Sequence, residues 1–470
     1  MSDEFDVIVI GGGPAGENVA GRAVRGGLTA ALVEERLAGG ECSYWACVPS
    51  KALLRPVELA AEVSRVPGLT LGPIDVGKVL GRRDEAVSFY DDAGQVGWVD
   101  GLPATFVRGS GRLDGPRTVR VATPDGGERV LTARHAVVVA TGSTAAVPPV
   151  PGLRNASPWT SHEVTAATAV PERLVVIGGG VVACEMAQAM HGLGARRTTV
   201  LVRGDRLLTR MEPFAGELLA ESFADAGIDV RPDTSPVRVD RPVPGGPVTV
   251  HLPDGPPIEA DEILVATGRR PATTAIGLES VGLRPGESIE VDDSMRATAV
   301  GDGWLYAVGD ANGRALLTHM GKYQARICGD VIVARAKGER DDLPALRDLA
   351  DGYGAPQVVF TDPQVCSVGR TEAAAREAGF TVRTVEYDMA SVTGAYLLGD
   401  GYRGRAKAVV DEERRVLLGV TFVGPGVAEL LHAATVAVTA EVPLERLWHA
   451  VPSFPTVSEV WLRLLEAYGL

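Results

Sequence analysis

The chain has 470 residues, of which 45% are hydrophobic and 23% charged, with 57 glycines and a formal net charge of −14. That length suits roughly two to four domains, and the composition supports a large buried core. The acidic balance argues against nucleic acid or an anionic membrane as partner, and no stretch reaches the roughly 18 uninterrupted apolar residues of a membrane span. The segment from Met1 to Asp6 is acidic and lacks the basic and apolar regions of a secretory signal, so cytoplasmic residence is expected.

In chain order, Asp6-Val7-Ile8-Val9-Ile10 reads as a buried parallel strand, followed at once by Gly11-Gly12-Gly13-Pro14-Ala15-Gly16. A helical stretch and a second strand, Ala30 to Glu34, complete a βαβ unit. Gly11, Gly13 and Gly16 have dinucleotide-binding spacing. The first allows a tight turn, the second admits a pyrophosphate, and the third lets helix and strand pack closely. The helix N-terminus offers free N–H groups to phosphates, and Glu34 ends the second strand where a ribose would be held. The pattern recurs as strand Leu174–Ile177, then Gly178, Gly180 and Ala183, then strand Thr199–Val202. Two such units predict two nucleotide-binding domains.

Further punctuation divides the chain. One β-type run ends in Ala140-Thr141-Gly142 before Pro148, Pro149 and Pro151; another ends in Ala266-Thr267-Gly268 before Arg269-Arg270-Pro271. Beyond Pro356 come short strands (Val358–Phe360, Arg405–Val410, Leu417–Val423) and a helical stretch from Val427, the texture of a separate α+β domain.

The five cysteines are Cys42, Cys47, Cys184, Cys328 and Cys366. Cys184, Cys328 and Cys366 lie in apolar surroundings and are expected in the core. Cys42 and Cys47 are close enough in sequence to suggest redox chemistry, with buried structural thiols as the alternative. A regular helix would carry them about 7.5 Å apart along its axis, so bonding them requires a distorted turn. A zinc site would need further ligand pairs, which the chain lacks, and no metal is expected.

The segment Gly39-Gly40-Glu41-Cys42-Ser43-Tyr44-Trp45-Ala46-Cys47-Val48-Pro49-Ser50-Lys51 resembles the redox motif of the pyridine nucleotide–disulfide oxidoreductases: lipoamide dehydrogenase, glutathione reductase and mercuric reductase. The likeness runs through both Ala-Thr-Gly segments, Tyr306-Ala307-Val308-Gly309-Asp310, Val359–Pro363, Val368–Glu372 and Pro455–Glu459. It implies FAD at Gly11, Gly13, Gly16, Glu34, Thr141 and Gly142, with Gly268, Gly309 and Asp310 also at the cofactors and Asp310 on the flavin's ribityl chain. It implies a redox disulfide between Cys47, the thiol that contacts the flavin, and Cys42, the thiol that exchanges with substrate. Lys51 matches the lysine near the flavin's reactive nitrogen, and Glu185 its carboxylate partner; from the residues alone these two read as an ordinary ion pair.

At the second nucleotide site, Gly178, Gly180 and Ala183, the strand ends in Val202 rather than an acid, and Arg203 and Arg206 follow. These arginines suit a 2′-phosphate, so NADPH is expected rather than NADH. If both arginines are only surface residues, Asp205 would serve the ribose of NADH.

The tail departs from the family. Where relatives carry His-Pro-Thr-x-x-Glu, with the histidine acting as proton shuttle and usually supplied by the partner subunit, this chain has Phe454-Pro455-Thr456-Val457-Ser458-Glu459. His449 is the nearest alternative base and matches no motif. Tyr44 and Trp45 replace smaller residues between the cysteines and are expected to pack the core, or else to reshape access to the pair.

The expectation is an α/β flavoenzyme: two doubly wound Rossmann-like nucleotide-binding domains and an α+β C-terminal dimerisation domain. Its parts would be FAD-binding over 1–149 and 271–345, NAD(P)H-binding over 150–270, and interface over 346–470. Electrons would pass from NADPH through FAD to the Cys42–Cys47 disulfide, and then to a small-molecule acceptor such as a quinone, oxygen, a metal ion or an unusual disulfide. The catalytic set is Cys42, Cys47, Lys51, Glu185 and Glu459, in a homodimer. The alternatives are an NAD-dependent dihydrolipoamide dehydrogenase and a non-catalytic redox-sensing flavoprotein.

Overall fold

The computed structural model describes residues 3–102 and 104–470. Its contacts divide the chain into two compact units, each assembled from separate segments: residues 1–48, 84–144 and 269–352 in the first, and 49–83, 145–268 and 353–470 in the second.

The first unit is built on a seven-stranded sheet. Strands Ala104–Arg108, Ala30–Glu34, Asp3–Ile10 and Glu128–Val139 lie side by side and parallel. The last is long enough to serve two neighbours, pairing antiparallel with Thr118–Ala122 through its first half and parallel with Leu305–Ala307 through its end. Val7 and Val9 enter one apolar cluster and Ile8 and Ile10 another, because the sheet is covered on both faces. Burial on both sides is why this strand reads as an unbroken apolar run instead of alternating. Helices Pro14–Arg25 and Thr318–Ala336 pack closely: a Cβ at Gly329 would lie 2.5 Å from Arg22 Cβ.

The second unit holds a four-stranded parallel sheet, ordered Asp229–Arg231, Arg197–Leu201, Arg173–Ile177, Glu262–Val265. The strand predicted over Thr199–Val202 thus ends one residue earlier, at Leu201. A five-stranded antiparallel sheet follows, ordered Gln357–Val359, Gln364–Gly369, Val416–Gly424, Arg405–Asp411, Val382–Asp388. Helices Leu431–Thr439 and Val460–Tyr468 contribute to its apolar cluster. Parallel sheets with covering helices beside an antiparallel α+β layer match the expected fold class. Among the described residues no helix is long and apolar enough to cross a membrane.

The second unit carries a buried charge cluster at Lys407. Lys407 Nζ, on a side chain 7% exposed, lies 3.0 Å from Glu212 Oε2 and 2.8 Å from Glu372 Oε2. Removing the cation while leaving buried Glu212 unpaired is costly. Lys407→Met is therefore expected to destabilise the unit by about 3–5 kcal/mol, read as a lower urea midpoint of the holoenzyme. An unchanged midpoint would show that the cluster contributes little.

Candidate active site

The first glycine turn has the geometry its spacing predicted. Gly11 has φ +107°, and a Cβ there would meet Ala140 O at 2.4 Å; a Cβ on Gly16 would lie 1.9 Å from Gly11 O. Gly13 caps helix Pro14–Arg25 without a side-chain hydrogen bond, leaving its first N–H groups facing outward. Glu34 Oε2 accepts the N–H of Gly12 at 2.7 Å and Oε1 that of Arg36 at 2.7 Å, and burial raises its pKa.

The cysteine segment is laid directly on this turn. Gly39 donates to Gly12 O at 2.8 Å, and a Cβ at Gly40 would lie 2.7 Å from Gly13 Cα. The consecutive positive φ angles of Gly39 (+106°) and Gly40 (+61°) start the short helix Gly40–Tyr44 that carries Cys42. Trp45 (φ −136°, ψ 6°) then breaks the helix, and a second helix starts at Cys47. This break supplies the distortion that a regular helix lacks. The disulfide expected between Cys42 and Cys47 is not formed in this structure. The hydrogen bond that the Cys42 thiol makes to the neighbouring Cys47 sulfur, followed by burial, pushes Cys42 well above its ordinary pKa, while Thr318 and Lys322 act in the opposite direction. Cys47 Sγ is 3.4 Å from Thr318 Oγ1.

Tyr44 is buried, and Trp45 is clamped between neighbours. The Arg36 guanidinium lies 4.5 Å from its ring centroid, and Tyr90 stacks at 6.2 Å with planes 27° apart. The aromatic insertion between the cysteines therefore anchors the break that brings them together. Cys184, Cys328 and Cys366 are fully buried, and burial raises their pKa values, as core thiols should behave.

Arg269 was read in the sequence only as a segment boundary, yet it organises the same unit. It donates to Ser143 Oγ and Ser143 O, each at 2.6 Å, and pairs with Glu41, the neighbour of Cys42. Ser143 Oγ in turn hydrogen-bonds Asp310, whose pKa burial raises. Only the position of Arg269, directly after an Ala-Thr-Gly run, could have signalled this.

In the second unit, Lys51 Nζ lies 2.7 Å from Glu185 Oε2, on a carboxylate side chain 4% exposed, and 4.8 Å from the Phe360 ring centroid. Glu185 Oε1 accepts the Phe360 N–H at 3.0 Å. The second glycine turn repeats the first: Gly178 has φ +126° with a Cβ contact of 2.3 Å to Ala266 O, Gly180 caps helix Val181–Gly192, and Ala183 is fully buried. A Cβ on Gly179 would meet Val202 Cγ1 at 2.7 Å, just as one on Gly12 would meet Glu34 Cβ at 2.9 Å. Val202 thus stands in the second turn where Glu34 stands in the first. Arg203 is exposed, and Arg206 is paired with Asp205 at 2.9 Å. Gly142, Gly268 and Gly309 adopt positive φ of +71°, +126° and +67°.

Residues 5–332 match the pyridine nucleotide-disulphide oxidoreductase family and residues 355–464 its dimerisation domain. The chain belongs to the pyridine nucleotide-disulphide oxidoreductases. It is 34% identical to a mercuric reductase of Shigella flexneri, over 95% of this chain and 78% of that protein. It is 32% identical to a dihydrolipoyl dehydrogenase of Thermus scotoductus, over 98% and 97%. Among solved structures, LpdA from Mycobacterium tuberculosis is similar over 100% of both chains (TM-score 0.84, 25% identity). The flavoprotein disulfide reductase RclA from Escherichia coli shares the fold over 99% of both chains (TM-score 0.84, 24% identity).

As a member, this oxidoreductase is an FAD-dependent enzyme that uses a pyridine nucleotide, and its dimerisation domain supports a homodimer. The first unit suits FAD: its glycine turn has no room for a side chain at Gly11 or Gly16, Glu34 keeps acceptor capacity, and Thr141 Oγ1 is buried with no hydrogen-bond partner. Among the described residues no group of three or more side chains suited to a metal converges. In the oxidoreductase's tail, Phe454 is 71% exposed and His449 is exposed, whereas Glu459 is buried. One Glu459 oxygen is held by Arg463, and Oε2 is buried without a partner.

Proposed function

We propose that this enzyme carries electrons from NADPH to the Cys42–Cys47 pair and on to an acceptor that needs no proton shuttle: a quinone, oxygen or a metal ion. One observation carries the acceptor reading. The position that would hold a proton-transferring histidine is Phe454, an exposed side chain with no titratable group, and its expected partner Glu459 is engaged by Arg463. Disulfide exchange forms and protonates thiolates, which a general base accelerates by about 10²–10⁴-fold. Acceptors of single electrons or of electron pairs at a metal do not depend on that base. The similarity to mercuric reductases favours a metal ion among them.

FAD, when bound, supplies a two-electron relay between nicotinamide and thiols. The roles proposed for the chain's own groups follow the family resemblance: Cys47 faces the flavin, Cys42 meets the acceptor, Asp310 holds the ribityl chain, and Lys51, paired with Glu185, stabilises negative charge. NADPH is favoured by the valine in the acid's place at position 202, with Arg203 and Arg206 following it. Similarity to dihydrolipoyl dehydrogenases supports a second reading, lipoamide chemistry with NAD.

A steady-state acceptor screen with NADPH and NADH separates these readings. Quinone or metal-ion turnover with NADPH should greatly exceed lipoamide turnover. Phe454→His should raise lipoamide turnover by roughly 10²-fold while leaving quinone turnover unchanged. Equal wild-type rates with lipoamide and quinone would sink the proposal.

A further inference from the structure

The turn Gly309–Asn312, which carries Asp310, is held from behind by one side chain. Gln324 is fully buried on helix Thr318–Ala336; its Oε1 accepts from the Gly309 N–H at 2.7 Å and from Asn312 Nδ2 at 3.0 Å. An amide is fixed in orientation only when its other end is also engaged. Here Nε2 donates to Asp351 Oδ2 at 2.7 Å.

Asp351 is itself unusual, because it faces a second carboxyl, Asp348, and their side chains are 2% and 1% exposed. Asp348 Oδ1 accepts the N–H groups of Ala350 (2.8 Å) and Asp351 (3.1 Å), and its Oδ2 lies 2.8 Å from Arg314 Nη2. Asp348 Oδ2 is nonetheless buried without a hydrogen bond. Arg314 is shared: its Nε lies 3.2 Å from Asp351 Oδ2, and Nη2 also reaches half-exposed Asp293 at 3.3 Å. The Tyr323 hydroxyl, from the helix of Gln324, accepts the Leu349 N–H at 3.1 Å and lies against Asp348. Asp351 Oδ1 is buried with no donor within reach.

We infer that Asp351 is held as the carboxylic acid, donating its proton to Asp348, and that this shared proton positions Gln324 and the Asp310 turn. The inference rests on the reading of Asp310 as part of the FAD site. Asp348, Asp351 and Gln324 are then positioning residues for the cofactor. Burial and the Asp348 carboxyl together push Asp351 up to about 7. Because an unfolded aspartate titrates near ~3.9, the stabilising proton is fully present below that value and is lost as pH rises through about 7. Above it, two like charges face one shared arginine; Gln324 and Arg314 favour the charged form, but repulsion drives Asp351 away from Asp348, and that movement displaces the acceptor of Gln324 Nε2.

The test is FAD release from the holoenzyme, followed by flavin fluorescence after dilution from about pH 6 to about pH 8.5. Wild-type release should accelerate roughly tenfold or more across that range, corresponding to at least one pKa unit of coupling. Asp351→Asn keeps an acceptor for Gln324 and a donor for Asp348, so its release should stay slow and flat. Gln324→Met should release FAD rapidly at every pH. A wild-type profile in Asp351→Asn, or slow release from Gln324→Met, would overturn the inference. So would an Asp351→Asn chain that does not fold, because the amide reproduces both hydrogen bonds of the acid. Asp310→Ala is the control: unchanged FAD retention there defeats the site reading itself. Lost FAD there, with a wild-type profile in Asp351→Asn, defeats the inference alone.

Discussion

Replacing Cys47 with serine is expected to leave FAD bound and to reduce turnover with every acceptor by on the order of 10⁴-fold. The serine hydroxyl can keep the neighbour that Cys47 has in Thr318, at 3.4 Å, so the local fold should survive. What it cannot do is form or break a sulfur–sulfur bond. In an anaerobic titration with NADPH the variant should take up the electron pair stored on flavin and no second pair. Cys42→Ser should lose turnover equally but behave differently in its spectrum. It keeps the thiol proposed to face the flavin, so a long-wavelength thiolate-to-flavin band should persist. That band should be absent from Cys47→Ser. Quinone turnover within tenfold of wild type in either variant would mean that electrons leave the enzyme without passing through the pair.

The second large effect is expected at Val202. In the first glycine turn the residue packed on the middle glycine is Glu34, whose carboxylate takes the Gly12 N–H at 2.7 Å. In the second turn that place is Val202, which is buried and contributes no acceptor. Val202→Glu should put a carboxylate where the adenine ribose is proposed to bind, adding acceptors for its 2′- and 3′-hydroxyls and repelling a 2′-phosphate. Each charged hydrogen bond gained or lost is worth about 1.5–3 kcal/mol. The NADPH-to-NADH ratio of kcat/KM should therefore fall by roughly 10²–10³-fold. A wild-type ratio already near unity, or a ratio unmoved by the substitution, would remove the basis for preferring NADPH. Arg206 is already paired with Asp205, so neutralising that arginine should have the smaller effect.

The sequence by itself determined what depends on neighbours along the chain. Strand Ala30–Glu34 was legible to the residue, because a strand covered on both faces shows an apolar run ended by a charged group. Both glycine turns were legible because Gly11 and Gly178 need positive φ and, like Gly16, would place a Cβ within about 2.4 Å of backbone atoms, a requirement only glycine satisfies. The pairing of Lys51 with Glu185 could be anticipated from charge and motif. Tertiary structure decided the rest. Trp45 reads as a large aromatic among polar residues, yet its role as the anchored break between two cysteines depends on Arg36 and Tyr90, brought in from other parts of the chain. Arg269 looked like punctuation and proved to join Glu41, Ser143 and Asp310. The meeting of Gln324 with the Asp348–Asp351 pair follows from no local pattern. Their chemistry arises because folding removes water from groups that must then find partners among whatever the chain places opposite them, and burial is not written in the spacing of residues.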